Sequence, residues 1–464
     1  MFDFTVLGGG SAGYAAARTA NDLGLKTAVI DGSETLGGLC ILRGCMPSKT
    51  LIESANRNRT LKRASEFGLR ASGLEVRGEE VIARKRRLIG EFADYRREQL
   101  ESGKFELIRG FGRFLDANRV EVSLRDGGKV VVESKTWLIA TGSEIFSPKV
   151  PGLEEAGFLT SDDILDLETI PESIVVLGGG PIALEMAHYL EGVGSRVTVI
   201  QRSAHTLKSM DSDLAEVVEE ASRERGIDVF CGTSLSRVEP GKTVVFEQDG
   251  TEKSVTASEI LLALGRKPAT GSLDLAAAGV ETDRGRVRAE STQQTTAPNI
   301  FAAGDVCGPL EVVHLAIEQG EAAAHNAAIQ LGVVDSPEKR MDYRLKLFGV
   351  FTEPQVAMVG DTEAELKAAG RRFNVAKYPF DDHGKSMVMG ETHGFVKLIA
   401  DATTGELLGG SVVGPEAVDL IHEIVVAMHF HSTAAQLATI PHYHPTLSEI
   451  WTYPAEELAE TIEN

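Results

Sequence analysis

At 464 residues the chain is too long for one hydrophobic core and suits roughly two to four domains. Its formal charge of −21 argues against a general nucleic-acid or membrane surface, and no apolar run approaches the roughly 18–20 residues that span a bilayer. Four cysteines in so long a chain exclude a disulfide scaffold, and 48 glycines are the one compositional excess.

The N-terminal "MFDFTVLGGG" enters a strand pattern at once, with no basic leader or cleavage site, so a cytoplasmic location is expected. The stretch "FTVLGGGSAGYAAARTANDLGLKTAVID" then predicts a strand, a glycine turn, a helix and a second strand ending in Asp31. Gly8, Gly10 and Gly13 occupy the turn, where they let the backbone approach a pyrophosphate that the helix N-terminus attracts. Next comes "GGLCILRGCMPSK" (residues 37–49), which sets Cys40 and Cys45 five positions apart. Metal ligation, a structural staple, a redox disulfide and coincidence are the four readings of such a pair. A long helical pattern follows through Leu100, and its basic run "ARKRR" (83–87) reads as a solvated face. The Pro-rich "SPKVPG" near residue 147 reads as a linker.

The plan then repeats. "SIVVLGGGPIALEMAHYLEGVGSRVTVIQR" has the same order of elements, with Gly178, Gly180 and Ala183 in the fingerprint positions. Two dinucleotide sites in one chain point to a flavin beside a nicotinamide, and so to a hydride relay. Counting 23 residues from the first glycine reaches Asp31 in one unit and Gln201 in the other. Asp31 suits ribose hydroxyls. Gln201 is followed by Arg202 and Lys208, with no acidic residue before Met210, which favours the 2′-phosphate of NADPH over NADH. Cys231 and Cys307 are isolated and read as buried spectators. Of 11 histidines, His444 stands out: Pro445 keeps it off a helix, and Glu449 follows five residues later to orient the ring. "TLSE" (446–449) is equally a capping-box pattern, and spacing alone does not separate the two roles.

These motifs together resemble the FAD-dependent pyridine nucleotide–disulfide oxidoreductases, nearly end to end and in the family's order. "LIATGS" (138–143), with Thr141 and Gly142, is similar to the chain's return from the first FAD segment. "LALGRKP" (262–268), with Gly265 and Arg266, is similar to the end of the nicotinamide domain. "IFAAGDV" (300–306) is similar to the second FAD motif, with Asp305 directed at the ribityl chain, and Gly110 is counted among the FAD residues. "GVFTEPQVAMVG" (349–360) resembles the opening of the dimerisation domain, and "HYHPTLSE" (442–449) the family's acid–base signature. The resemblance implies an α/β fold with two Rossmann-like dinucleotide-binding domains, for FAD and NAD(P), and a C-terminal α+β dimerisation domain. The expected limits are 1–146 and 267–338 for the FAD and central parts, 147–266 for the nicotinamide domain and 339–464 for the interface domain.

Within that frame the cysteine pair reads as redox-active. On a regular helix the two side chains would diverge by roughly 140°, so a bridge needs a distorted turn, which Gly44 permits. Pro47 suits the first turn of a following helix and places Cys45 near its N-terminus, where a thiolate is stabilised. Zinc would want two further nearby ligands, and none follows; no metal is expected. The resemblance implies that Cys45 faces the flavin and Cys40 the substrate. It also implies that Lys49 lies by the flavin paired with Glu185, and that His444 and Glu449 come from the partner subunit of a homodimer. His442 is expected to be an outer neighbour.

The substrate is less directly legible. The C-terminal cysteines of mercuric reductases and of large thioredoxin reductases are absent. Arg18 matches a basic position that contacts glutathione, but Glu321 replaces a second arginine and is expected to repel that anion, while Pro181 replaces a tyrosine lid. The expected activity is NADPH-dependent reduction of a low-molecular-weight disulfide, without nucleic-acid or membrane partners. The alternative is dihydrolipoyl dehydrogenase working toward NAD; a flavoprotein that only binds or senses would need neither the cysteine pair nor the His–Glu pair.

Overall fold

A computed structural model describes residues 1–461. The chain forms two compact units, one of Met1–Thr50, Ile82–Phe146 and Gly265–Asp342, the other of Leu51–Val81, Ser147–Leu264 and the chain from Tyr343. Among the described residues no helix is long and apolar enough to cross a membrane.

The first unit is built on the strand Phe2–Leu7, which lies parallel between Thr27–Ile30 and Lys129–Ile139, with Val6 opposite Val29 and Leu138. Ile300–Ala302 pairs with the other edge of Lys129–Ile139, whose N-terminal half continues into an antiparallel meander with Arg119–Leu124 and Gly110–Asp116. Parallel strands are covered on both faces, which is why Phe4 to Leu7 are all buried instead of alternating. The helices Ser11–Asp22 and Val313–Gln330 share one core with this sheet, through Ala12, Ala16, Ala20, Ala323, Ala324 and Ala327. Their axes approach closely because these side chains are small; a Cβ on Gly320 would overlap the Ala12 carbonyl oxygen. Gln319, fully buried on the second helix, accepts from Gly304 N–H at 2.8 Å and donates to Gly308 O at 2.6 Å, which pins the turn that carries Asp305.

In the second unit, Ser173–Leu177 lies parallel between Arg196–Ile200 and Glu259–Leu262, with Val176 opposite Val199 and Leu261. The helix Pro181–Val193 starts on proline, which lacks the N–H that a first-turn residue leaves unpaired, and stops at Gly194 in the left-handed region. The C-terminal part is a five-stranded antiparallel sheet in the order Leu347–Val350, Gln355–Gly360, Leu407–Gly414, Phe395–Asp401, Phe373–Pro379. Its apolar core, with Phe380 and Trp451 fully buried, includes the helices Ala417–His429 and Thr452–Glu460. The observed architecture is thus the expected one: two parallel α/β sheets and a C-terminal α+β part.

Two lysines depart from a simple inside–outside rule. The run "ARKRR" is not uniformly solvated, because Lys85 turns inward on the helix Gly78–Leu100 and is buried. Lys397 lies in the antiparallel sheet with its side chain 1% exposed, and its ammonium meets Asp211 at 2.8 Å, Asp213 at 3.0 Å and Glu363 at 3.3 Å. Burial opposes the Lys397 charge, but the carboxylates outweigh it and hold the pKa above the usual lysine value. Burial likewise works against Asp213 and Glu363, and the lysines prevail, holding both below the usual carboxylate range. Replacing Lys397 by Met is expected to cost about 3 kcal/mol, as for a broken buried pair, read as a lower thermal unfolding temperature. The depressed carboxylates contribute stability above their unfolded pKa and lose it on acidification, so the two proteins should converge below about pH 4.

Candidate active site

The first fingerprint is a steric device. Gly8 has φ +104°, and a Cβ on Gly13 would overlap the Gly8 carbonyl oxygen, so the helix can descend onto the strand end only without side chains there. Gly10 caps Ser11–Asp22 with no side-chain hydrogen bond, which leaves the helix-start amides for a ligand. Asp31, buried, accepts from Gly9 N–H and Ser33 N–H, each at 2.8 Å, and ties the two strand ends together. Gly110 N–H donates to Asp31 O at 3.2 Å. Thr141 Oγ1 donates to Ala269 O at 2.8 Å, and Gly142 O accepts from Ala269 N–H at 3.0 Å. Ser143 Oγ donates to Asp305 at 2.6 Å and itself accepts from Arg266 Nε at 2.8 Å. Arg266, expected at the end of the nicotinamide domain, is thereby tied through Ser143 to the Asp305 turn of the first unit. Gly265 O, one residue earlier, accepts from Phe146 N–H at 3.0 Å.

The second fingerprint repeats the geometry. A Cβ on Gly178, at φ +120°, would overlap the Ala263 carbonyl, Ala183 is fully buried, and Gly180 faces open space before an uncapped helix start. Arg202 and Lys208 are both exposed, and neither has an ion-pair partner among the described residues. The acid-free segment from Gln201 to Met210 is not acid-free in space, however. The helix Ser212–Glu224 brings Glu216 and Glu219 each to 3.9 Å from His205, and Glu219 accepts from Thr206 N–H at 2.7 Å. Cys231, half-buried, is pushed up to about 12 by burial and by this same Glu219; Cys307, also half-buried, is pushed up to about 12 by burial.

The cysteines sit at a break between helices. Gly38–Leu42 ends at Arg43, whose φ of −142° is not helical, and Cys45 opens the helix Cys45–Lys62 with Pro47 in its first turn. Gly44 makes the junction tight: a Cβ there would lie 3.0 Å from Leu39 O and 3.2 Å from Cys40 Cα. Hydrogen bonding to Cys45 and burial push the Cys40 thiol well above its ordinary value, while the Lys49 charge pulls it back. Among the described residues no cluster of three or more His, Cys, Asp and Glu is placed to hold a metal.

His444 and Glu449 meet in the second unit. His444 Nδ1 lies 3.0 Å from Glu449 Oε2 and 3.2 Å from Oε1, and the imidazole is 78% exposed. With Glu449 ionised, Nδ1 is the donor and Nε2 presents its lone pair outward. No capping box competes, because Thr446 Oγ1 has no hydrogen-bond partner among the described residues and the short helix Ser448–Trp451 has no side-chain cap. Sequence reading missed His383. It is fully buried behind the pair, with Nδ1 at 2.8 Å from Ser386 Oγ and Nε2 at 3.5 Å from Glu449 Oε1, and burial pushes its pKa down. Only its 61-residue separation from His444 hid it. His442 is engaged elsewhere, by Glu423 at 2.6 Å and Ile440 O at 2.9 Å.

Residues 2–320 match the sequence model described as pyridine nucleotide-disulphide oxidoreductase, and residues 348–455 match its dimerisation domain. The chain belongs to that family. It is 34% identical to dihydrolipoyl dehydrogenase of Bacillus subtilis (strain 168), over 97% of this chain and 96% of the relative. It is 34% identical to mercuric reductase of Bacillus cereus, over 97% of this chain and 70% of the relative. The fold superposes with a TM-score of 0.85 on the HOCl-induced flavoprotein disulfide reductase RclA of Escherichia coli, solved as a Cu(II) complex; that protein is 25% identical, and 98% and 99% of the two chains are covered. This chain is accordingly an FAD-dependent oxidoreductase of the disulfide-centre type, with a C-terminal dimerisation domain.

The family's FAD is compatible with the first fingerprint. Its uncapped helix start, the Asp31 carboxylate and the Asp305 turn are the features that would hold pyrophosphate, ribose and ribityl chain. Glu321 is not a lone carboxylate. Expected to repel anions, it is instead paired with Arg18 at 2.6 Å, so each offsets the other's charge. Lys49 belongs to the first unit and Glu185 to the second, where Glu185 is buried and accepts from Phe351 N–H at 3.1 Å. The open space at Gly180 yields a test. Gly180→Ala is allowed by its φ of −80° and meets no atom within 4 Å, so unfolding should be unchanged. Its methyl enters the space before the helix start, so the KM for the nicotinamide cofactor should rise about tenfold in steady-state assays, equivalent to roughly 1.4 kcal/mol.

Proposed function

We propose that the protein is an NADPH:disulfide oxidoreductase that reduces a low-molecular-weight disulfide through Cys40 and Cys45. The observation that carries this reading is the cysteine pair itself: Cys45 at a helix start, and Cys40 against it across the tight Gly44 junction, its thiol pushed above the ordinary value. A thiol held protonated needs a base before it can attack. The partner subunit's His444, steadied by Glu449 and open at Nε2, is suited to take that proton. Cys40 thiolate then attacks one sulfur of the substrate; a mixed disulfide forms, and the first thiol departs with the proton from His444. Cys45, favoured as a thiolate by the helix dipole, attacks Cys40 and closes the intramolecular disulfide, and the second thiol is expelled. Two electrons pass from the dithiol to the substrate. FAD, when bound, supplies the two electrons, drawn from the nicotinamide, that reopen Cys40–Cys45. Lys49 with Glu185 is assigned to the flavin environment, and the domain limits 1–146, 147–266, 267–338 and 339–464 are proposed with this scheme.

NADPH is favoured by Arg202 and Lys208, two exposed cations without acidic partners. Glu219 beside His205, and relatives named dihydrolipoyl dehydrogenase, support the second reading, oxidation of dihydrolipoamide by NAD. The double change Arg202→Ala with Lys208→Ala separates them: the KM for NADPH should rise about tenfold while that for NADH moves little. Equal effects on both cofactors would favour the dehydrogenase. His444→Ala should slow disulfide turnover about 10²–10⁴-fold and leave anaerobic flavin reduction by NADPH intact. Cys40→Ser should abolish disulfide turnover; full activity in that variant would falsify the scheme.

A further inference from the structure

In an acidic chain, arginines on the helices Ser11–Asp22 and Gly78–Leu100 are mostly paired. Arg18 meets Glu321 at 2.6 Å, Arg87 meets Glu91 at 2.8 Å and Arg97 meets Asp94 at 2.9 Å. Arg96 is different. Its Nε and Nη1 are buried and have no hydrogen-bond partner, and no carboxylate forms an ion pair with it among the described residues. The guanidinium carbon lies instead 4.1 Å from the centroid of the Tyr14 ring, on the helix Ser11–Asp22. Burial lowers its pKa; Tyr14, Cys40 and Tyr95 are close enough to support its charge, and Arg18 close enough to oppose it.

A half-buried cation without a counter-charge is costly, and a stacked phenol ring compensates only in part. Such an arrangement makes physical sense where a ligand brings the missing anion. The helix that carries Tyr14 starts at Gly10, whose Cα packs so tightly on Gly38 that no Cβ fits there. Gly38 opens the short helix that carries Cys40, the thiol assigned to attack the substrate, so an anion carried near the substrate's sulfur would be delivered to this region. Phe92, Tyr95 and Arg96 occupy positions i, i+3 and i+4 of Gly78–Leu100 and share one side of it, with Phe92 and Tyr95 exposed. They present apolar surface for a carbon chain next to a charged group for its end. Glu321, paired with Arg18, does not supply the missing counter-charge.

We propose that Arg96 is the substrate-binding residue for a carboxylate on the disulfide that Cys40 attacks, so that the enzyme selects anionic disulfides over neutral ones. This rests on Cys40 being the thiol that meets the substrate. The matched probes are dithiodipropionate and its diamide, which share a skeleton and differ only in charge. With the purified holoenzyme, kcat/KM should favour dithiodipropionate, and raising ionic strength should erode that preference while leaving the diamide unaffected. Arg96→Met should lower the preference about tenfold, chiefly through the KM of the dianion, with normal flavin content. Arg96→Lys, which keeps the charge, should retain most of it. A native enzyme that reduces neither probe sinks the disulfide reading as well as this one. Equal losses on both probes, a salt-independent native preference, or loss of flavin from both variants overturns the role of Arg96 alone.

Discussion

Two backbone segments, the Gly8 turn and the first turn of Ser11–Asp22, lie so close that no Cβ fits at Gly13. Everything in the first unit follows from that contact. It sets the helix start above the strand end, where its unpaired amides collect. It also fixes the face along which the helix meets Val313–Gln330 through small residues, and Gln319 on that second helix pins the Asp305 turn. Asp31 closes the arrangement by taking the Gly9 amide, so strand, turn and helix constitute one rigid cradle. The second fingerprint meets the same demand with Gly178 against Ala263, which is why two unrelated stretches of sequence converge on one local shape.

Against these rigid cradles, the chemistry depends on where protons reside. Cys45 and burial push the Cys40 thiol above its ordinary value, and the start of an 18-residue helix favours negative charge on Cys45. The asymmetry divides labour between two otherwise identical groups. An exposed imidazole backed by a nearly buried carboxylate is the complementary device: Glu449 holds Nδ1–H and leaves Nε2 to exchange protons. His383 on the other side of Glu449 is kept neutral by burial, so it does not compete for that carboxylate as a second cation.

Charge at the periphery is organised differently. Lys397 gathers three carboxylates from two remote segments, Asp211 and Asp213 on one and Glu363 on the other, inside the second unit, where Lys377 and Lys367 share the load. Arg18 does the same for Glu321. Arg202, Lys208 and Arg96 are among the described cations without such a partner, and each lies beside a region proposed for cofactor or substrate.

Sequence alone determined the features set by steric need at fixed spacing. The glycines of both fingerprints, the strand runs around them, Gly44 between two cysteines and Pro47 after them are local requirements of the backbone, and each is readable within a few residues. What only the tertiary structure decided is which polar groups meet. "TLSE" reads equally as a cap or as half of an acid–base pair until Thr446 is seen without a partner and Glu449 against His444. The loop from Gln201 to Met210 lacks acids in sequence, yet a neighbouring helix brings Glu219 to it. Glu321 looks repulsive until Arg18, 303 residues away, is found holding it. Backbone sterics act between neighbours, whereas charge acts through space, and folding sets which charges become neighbours.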